Sequence, residues 1–240
     1  MKKAEKARKD LIKRILEISF KYRLGHLGSC LSALDILDCI YSIRKVNDPV
    51  ILSSGHAGLA LYVILEKYGF ANAEKLFIKH GVHPNRDLQN GIYASTGSLG
   101  QGLPIAVGMA IADRKKEVFC IVSDGECAEG SIWEAVRIAS EQKLNNLKIV
   151  INANGYGGYD EINIKSLPSR LRSFGCSVYE VDGHRREQLY KALQTSSGVR
   201  PLAIFAKTRI NHLPFLRGLD AHYKVMEESD YFPILKELNK

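Results

Sequence analysis

The sequence predicts an α/β protein, a three-layer fold with a mainly parallel sheet flanked by helices. Two observations carry this. Short apolar runs at 118–122 (VFCIV) and 147–151 (LKIVI) have the length and character of buried strands, and residues 129–143 between them have helical spacing, with Ile132, Trp133, Val136 and Ala139 on one side. That order is a βαβ unit, whose right-handed crossover makes its strands parallel. Similar runs at 49–52, 177–181 and 203–206, separated by helical segments, extend the sheet.

Taken in order, Leu11, Ile12, Ile15, Leu16, Ser19 and Tyr22 form a stripe in a charged segment, so the chain starts with an amphipathic helix. It stops at residues 25–30 (GHLGSC), and 31–43 (LSALDILDCIYSI) read as a second helix, apolar enough to be buried. Only residues 44–48 separate it from the strand at 49–52 (PVIL), after which Ser53-Ser54-Gly55-His56-Ala57 leads into a helix over 59–68. Residues 80–85 (HGVHPN) precede a polar loop, with His80 expected at the surface, and the loop ends in 96–103 (TGSLGQGL). The helix at 103–112 contains Ala106, Gly108 and Ala110, which permit close packing against a neighbour. After the central unit come a short loop at 159–164, a helix at 167–174, the strand at 177–181 and a structural turn at Asp182-Gly183-His184. The strand at 203–206 runs into Lys207-Thr208 and a loop through His212, and 227–238 form a closing polar helix.

A length of 240 residues suits one large α/β domain with an ample core. The net charge of +8 suits phosphorylated sugars. No nucleic-acid role is expected, because the basic residues are scattered and no recognised module appears. The one dense basic run, 1–9 (MKKAEKARK), reads as a solvated helix start. Cys30, Cys39, Cys120, Cys127 and Cys176 have no CxxC or metal spacing, as in reduced residues of a cytoplasmic protein, although Cys127 stands close enough to the turn at Asp124 to be weighed as a reactive thiol. There is no signal-peptide core and no apolar run near the ~20 residues of a membrane span, so no membrane association is expected.

The chemistry is concentrated where the central strands end. Parallel neighbours end at one sheet edge, so Asp124 and Asn154, distant in sequence, can meet there. A carboxylate, an amide oxygen and a backbone carbonyl are hard donors suited to Mg²⁺ or Ca²⁺, with positions left for phosphate oxygens and water. Gly125 lets backbone approach a phosphate closely, and His56 stands at a helix N-terminus, where free N–H groups favour an anion. The combination is that of a diphosphate held through a divalent metal.

Gly-Asp-Gly followed about thirty residues later by Asn is the thiamine diphosphate motif, and Ser123-Asp124-Gly125 with Asn154 reproduces it, Ser123 replacing the first Gly. Together with Glu129-Gly130, Trp133-Glu134-Ala135, the upstream TGSLGQG of 96–102 and the AVGMA of 106–110, it resembles transketolase. The resemblance runs from about 11 to 238. It implies the thiamine diphosphate-binding fold of the family's N-terminal PP domain, so that 1–240 forms a single cofactor- and metal-binding domain, one half of a split transketolase.

The resemblance also implies roles. Asp124, Asn154 and the Tyr156 carbonyl would hold the metal; Gly125, Glu126, His56 and His222 would contact the cofactor; Gly97, Ser98 and Leu99 would approach it, with Leu99 beneath its rings. His26, in Gly25-His26-x-Gly28, and His83, in His83-Pro84, would face substrate oxygens and move protons, work suited to imidazoles. His56 would line the substrate channel, and His222, in an AHYK segment similar to the family's AWHxKAP, is preferred over His212 for contact with diphosphate and substrate. Glu129 and Glu134 match acidic residues at the subunit interface.

The segments at 44–48, 159–164 and 209–222 depart from the family pattern. The glutamate that activates the cofactor's aminopyrimidine lies on another domain in this family. The chain is therefore expected to need a C-terminal transketolase subunit, in an α2β2 heterotetramer, for ketol transfer from a ketose phosphate to an aldehyde or sugar. Alternatives are a subunit of a 2-oxoacid decarboxylase or dehydrogenase, transfer to a nucleotide-linked sugar, and a non-catalytic cofactor-binding module.

Overall fold

The strands β1 (Val50–Leu52), β2 (Val118–Ser123), β3 (Leu147–Ala153), β4 (Ser177–Asp182) and β5 (Leu202–Lys207) form one sheet in the spatial order β1-β2-β3-β5-β4, every pair parallel. This is a computed structural model describing residues 2–158 and 160–239. Met1 of the basic run and Tyr159 of the expected 159–164 loop lie outside the described residues.

Every residue of β1, β2 and β3 is buried, as strands covered on both faces require. Alternation divides their side chains between two cores. Val50, Leu52, Phe119, Ile121, Val150 and Ile204 face one layer, containing α1 (Lys2–Tyr22), α2 (Leu27–Ile43), α3 (Gly58–Lys67) and α8 (Arg186–Leu193). Ile51, Cys120, Val122, Ile149, Ile151 and Phe205 face the other, containing α5 (Gly102–Ala112), α6 (Gly130–Glu141) and α7 (Leu167–Ser173). The expected three-layer α/β fold is thus the observed one. The pairing of Ser123 with Asn152 in adjacent strands puts the residues that follow them side by side at one edge.

Three local expectations need correction. The second helix starts at Leu27, not at 31, because His26 takes the left-handed conformation (φ 59°) and turns the chain sharply. Helices α4 (Ala73–His80) and α8 add to the expected elements; α4 is capped by the Asn72 side chain, which accepts the Lys75 N–H. His80 is not a surface residue: its side chain is 5% exposed, and Nε2 lies 3.1 Å from an Asp87 carboxylate oxygen. The chain ends in α9 (Asp220–Tyr223) and α10 (Glu228–Leu238). Among the described residues no helix is long and apolar enough to cross a membrane.

Candidate functional site

Asp124 and Asn154 meet as the topology requires. Asp124 is 1% exposed, and its carboxylate accepts the Gly125 N–H at 3.0 Å through Oδ1 and the Gly155 N–H at 2.6 Å through Oδ2, tying the end of β2 to the loop after β3. No Lys, Arg or His pairs with it among the described residues. Burial pushes its carboxyl up to about 7, and the backbone N–H groups offset this only in part.

Asn154 Oδ1 accepts the Tyr156 N–H at 2.9 Å, which leaves that oxygen a second lone pair. Tyr156 faces Glu161 in an antiparallel bridge closed by Gly157 N–H to the Asp160 carbonyl and Ile162 N–H to the Gly155 carbonyl, both 2.8 Å. In such a pair the central residue's own N–H and C=O point away from its partner, here to the side of Asn154. Among the described residues no group of three His, Cys, Asp or Glu side chains could hold a metal ion. The donors at this edge are a carboxylate, an amide and a carbonyl, and a buried carboxylate without a counter-charge fits a hard divalent cation.

A cavity of about 260 Å³ opens above them, lined by Gly125, Asn154, Tyr156, Gly158, His56 and His222 among others. The rings of His26, His56 and His222 cluster at centroid distances of 4.7–5.4 Å. Burial lowers His26 to about 4 and His56 to about 3, with added repulsion from His222 and the other histidines, and burial also lowers His222. All three are therefore neutral at pH 7. His26 Nδ1 and Ser54 Oγ are buried without a hydrogen-bond partner, as is His212 Nε2 outside the cavity.

The backbone makes this approach possible. Gly55 lies so close to the glycine-rich loop that an added Cβ would stand 2.5 Å from the Thr96 carbonyl. Gly97, at φ 141°, would place one 2.7 Å from the His83 ring. His83 is exposed beside Gly97. Leu99 is 39% exposed and lines the cavity, whereas the exposed Ser98 is not among its lining residues.

Glu126 corrects an expectation. Its carboxylate does not face the cavity: it is 0% exposed and accepts Ser53 Oγ at 2.5 Å, the Ser123 N–H at 2.9 Å and the Gly100 N–H at 3.0 Å. It fastens the ends of β1 and β2 to the glycine-rich loop. Cys127 is not a reactive thiol either: it is 5% exposed, and burial, with Asp124 and Glu126 nearby, pushes its thiol far above the ordinary value. Glu129 lies exposed at the cavity rim, and Glu134 pairs with Arg137 at 2.6 Å.

His212 lies outside this cavity, edge-on against His184 at 4.6 Å. His184 is structural, with Nδ1 2.8 Å from Asp35 Oδ2 and Nε2 accepting the Arg209 N–H at 3.1 Å. A larger, open depression of about 440 Å³ lies beside it, lined in part by Lys207 and Glu180, which pair at 3.5 Å. Sequence reasoning missed Ser54, although it stands in the SSGHA segment, and Asn152, which lines the cavity and bonds Ser32 and Thr208.

Fold and site together define an α/β domain of the kind that takes ligands at the carboxyl edge of a parallel sheet, here beside hard oxygen donors. Residues 11–222 match the family described as transketolase, thiamine diphosphate binding domain. The chain belongs to the transketolase family of thiamine diphosphate-dependent transferases. It is 30% identical over 257 residues to one of the subunits of the apulose-4-phosphate transketolase from Phocaeicola vulgatus, covering 95% of this chain and 91% of that one. With human transketolase it shares 34% identity over 208 residues, 77% of this chain but only 33% of the human protein. The crystal structure of transketolase from Campylobacter jejuni superposes with a TM-score of 0.80 at 25% identity, over 91% of this chain and 40% of that one. Structures of the Pichia stipitis enzyme reach 0.87 at 20% identity, a likeness of fold.

Proposed function

We propose that this chain is the cofactor-holding N-terminal subunit of a two-chain transketolase, moving a two-carbon ketol unit from a ketose phosphate to an aldehyde or sugar acceptor. In this reading 1–240 form one PP-type domain. The observation that carries it is the uncompensated Asp124 carboxylate beside Asn154, beneath three neutral histidines. Asp124, Asn154 and the Tyr156 carbonyl would hold Mg²⁺ or Ca²⁺, and Gly125, His56 and His222 would face the diphosphate, with Leu99 against the rings. When bound, thiamine diphosphate supplies the carbon nucleophile that adds to the ketose carbonyl and stores the electron pair left by bond cleavage.

The chain's own residues then orient substrate and handle protons. His26 offers an unpartnered buried Nδ1, and a neutral imidazole can accept a substrate hydroxyl proton or donate to an oxygen without first losing a charge. His83, at the rim, would meet the substrate as it enters. The Phocaeicola relative, named for a sugar phosphate, supports a phosphorylated sugar as one substrate.

The activating glutamate would come from a C-terminal transketolase subunit, in a cytoplasmic α2β2 assembly. Glu126 is occupied by protein donors, and the relative's being named as one subunit of its enzyme supports a second chain. Helix α5 carries no charged side chain and exposes Ile105 (37%) and Ile111 (43%), an apolar face for a partner to cover. The test is turnover of ketose phosphate and acceptor with thiamine diphosphate and Mg²⁺. The isolated chain is expected to be inactive and the co-purified pair active, and turnover by the isolated chain would refute the two-chain proposal.

A further inference from the structure

The segment carrying His222 is held from two sides. On one, the His26 N–H donates to the His222 carbonyl at 2.8 Å, and a Cβ on Gly28 would stand 3.0 Å from the Ala221 carbonyl oxygen. On the other, the Tyr223 hydroxyl donates to the Gly158 carbonyl at 2.6 Å. Gly158 lines the cavity in the same loop as Asn154 and Tyr156. A Cβ there would lie 3.4 Å from the Tyr223 hydroxyl and 4.0 Å from His222 Nε2, so hydroxyl and imidazole reach the loop at one residue. The Tyr223 ring sits 5.1 Å from that of His222 and is 56% exposed, so burial alone does not fix its direction.

We propose that Tyr223 is a positioning residue, clasping the His222 segment to the loop that carries Asn154 and Tyr156 so that the two walls of the cavity move as one. The inference rests on the thiamine diphosphate reading of the site. Without the hydroxyl the loop keeps its internal bonds, such as those from Gly157 and Ile162, and its tie from the Gly155 N–H to Asp124, but among the described residues no hydrogen bond joins it to the His222 segment, which is then held only on the His26 side. A bound diphosphate then leaves more readily, although the residues that face it are unchanged.

The experiment compares Tyr223→Phe with the parent, as the full chain co-purified with its partner. Amide exchange at Gly157 and Ile162 is measured without cofactor, and affinity for thiamine diphosphate with Mg²⁺ by calorimetry. Loss of one neutral hydrogen bond is expected to speed exchange at those amides about fivefold, to leave β2 and β3 unchanged, and to weaken cofactor binding about fivefold. Unchanged exchange and affinity overturn the clasp, as does faster exchange with unchanged affinity. Weaker binding without faster exchange assigns the hydroxyl to the cofactor and overturns the positioning role. Asp124→Ala separates the two levels: if the parent binds cofactor and this variant does not, a failure at Tyr223 concerns the clasp alone. If the parent takes no cofactor, the reading of the site and the clasp fall together.

Discussion

Two clusters of partly buried histidines stand among the described residues, and their neighbours differ. His184 has both ring nitrogens engaged, by Asp35 and by the Arg209 N–H, and Asp35 is itself held by Arg8 at 2.7 Å. That cluster is a fastener between α2 and the turn after β4. His26, His56 and His222 have no carboxylate among them, one nitrogen of His26 is orphaned, and the nearby Asp124 has no cation. Buried polar groups are for the most part satisfied internally or by a ligand, and the contrast sets the fully bonded His184 apart from the three imidazoles at the cavity.

Asp124 is where the two clusters part most clearly. Asp124→Ala should abolish calorimetric binding of thiamine diphosphate with Mg²⁺ in the two-chain complex. Unchanged affinity would remove the metal assignment. His26→Asn should lower kcat about 100-fold in that complex, the usual size of a lost proton-transfer group, while cofactor affinity stays within about twofold.

Stability should sharpen the contrast in the absence of metal. The folded-state value of Asp124, about 7, lies above the ordinary 3.8, so the native state holds a proton that the unfolded chain has released between these limits. Asp124→Asn should therefore gain nothing at pH 3, and its advantage over the parent should grow as pH rises from about 4 through about 7. Above that it reaches at most about 4 kcal/mol by denaturant titration. Mg²⁺ and cofactor should reverse the order by binding only the parent. The smallest effect belongs to the fastener: His184→Ala should cost about 1–3 kcal/mol of stability by leaving Asp35 underpaired, with cofactor affinity unchanged.

Much of this was legible beforehand for reasons of periodicity. Buried parallel strands need continuous apolar runs, so β2, β3 and β5 could be read to within a residue or two, and the βαβ rule alone brought Asp124 and Asn154 to one edge. Helices α4 and α8, of about two turns each, were not read. The engagement of the Glu126 carboxylate was not legible, because residue type and position do not reveal which donors a carboxylate meets. Ser53, Ser123 and Gly100 come from three separate segments.

Pattern, spacing and residue chemistry determined the layer order, the edge at which ligands bind and the hard-oxygen character of the donors, because each follows from local repeats and one handedness rule. Only the folded chain decided that His222 stands at the cavity and His212 away from it against His184, that His184 fastens the frame, and that Tyr223 reaches Gly158. Those outcomes depend on contacts between segments far apart in the sequence, and they are settled only when both cores pack against the sheet.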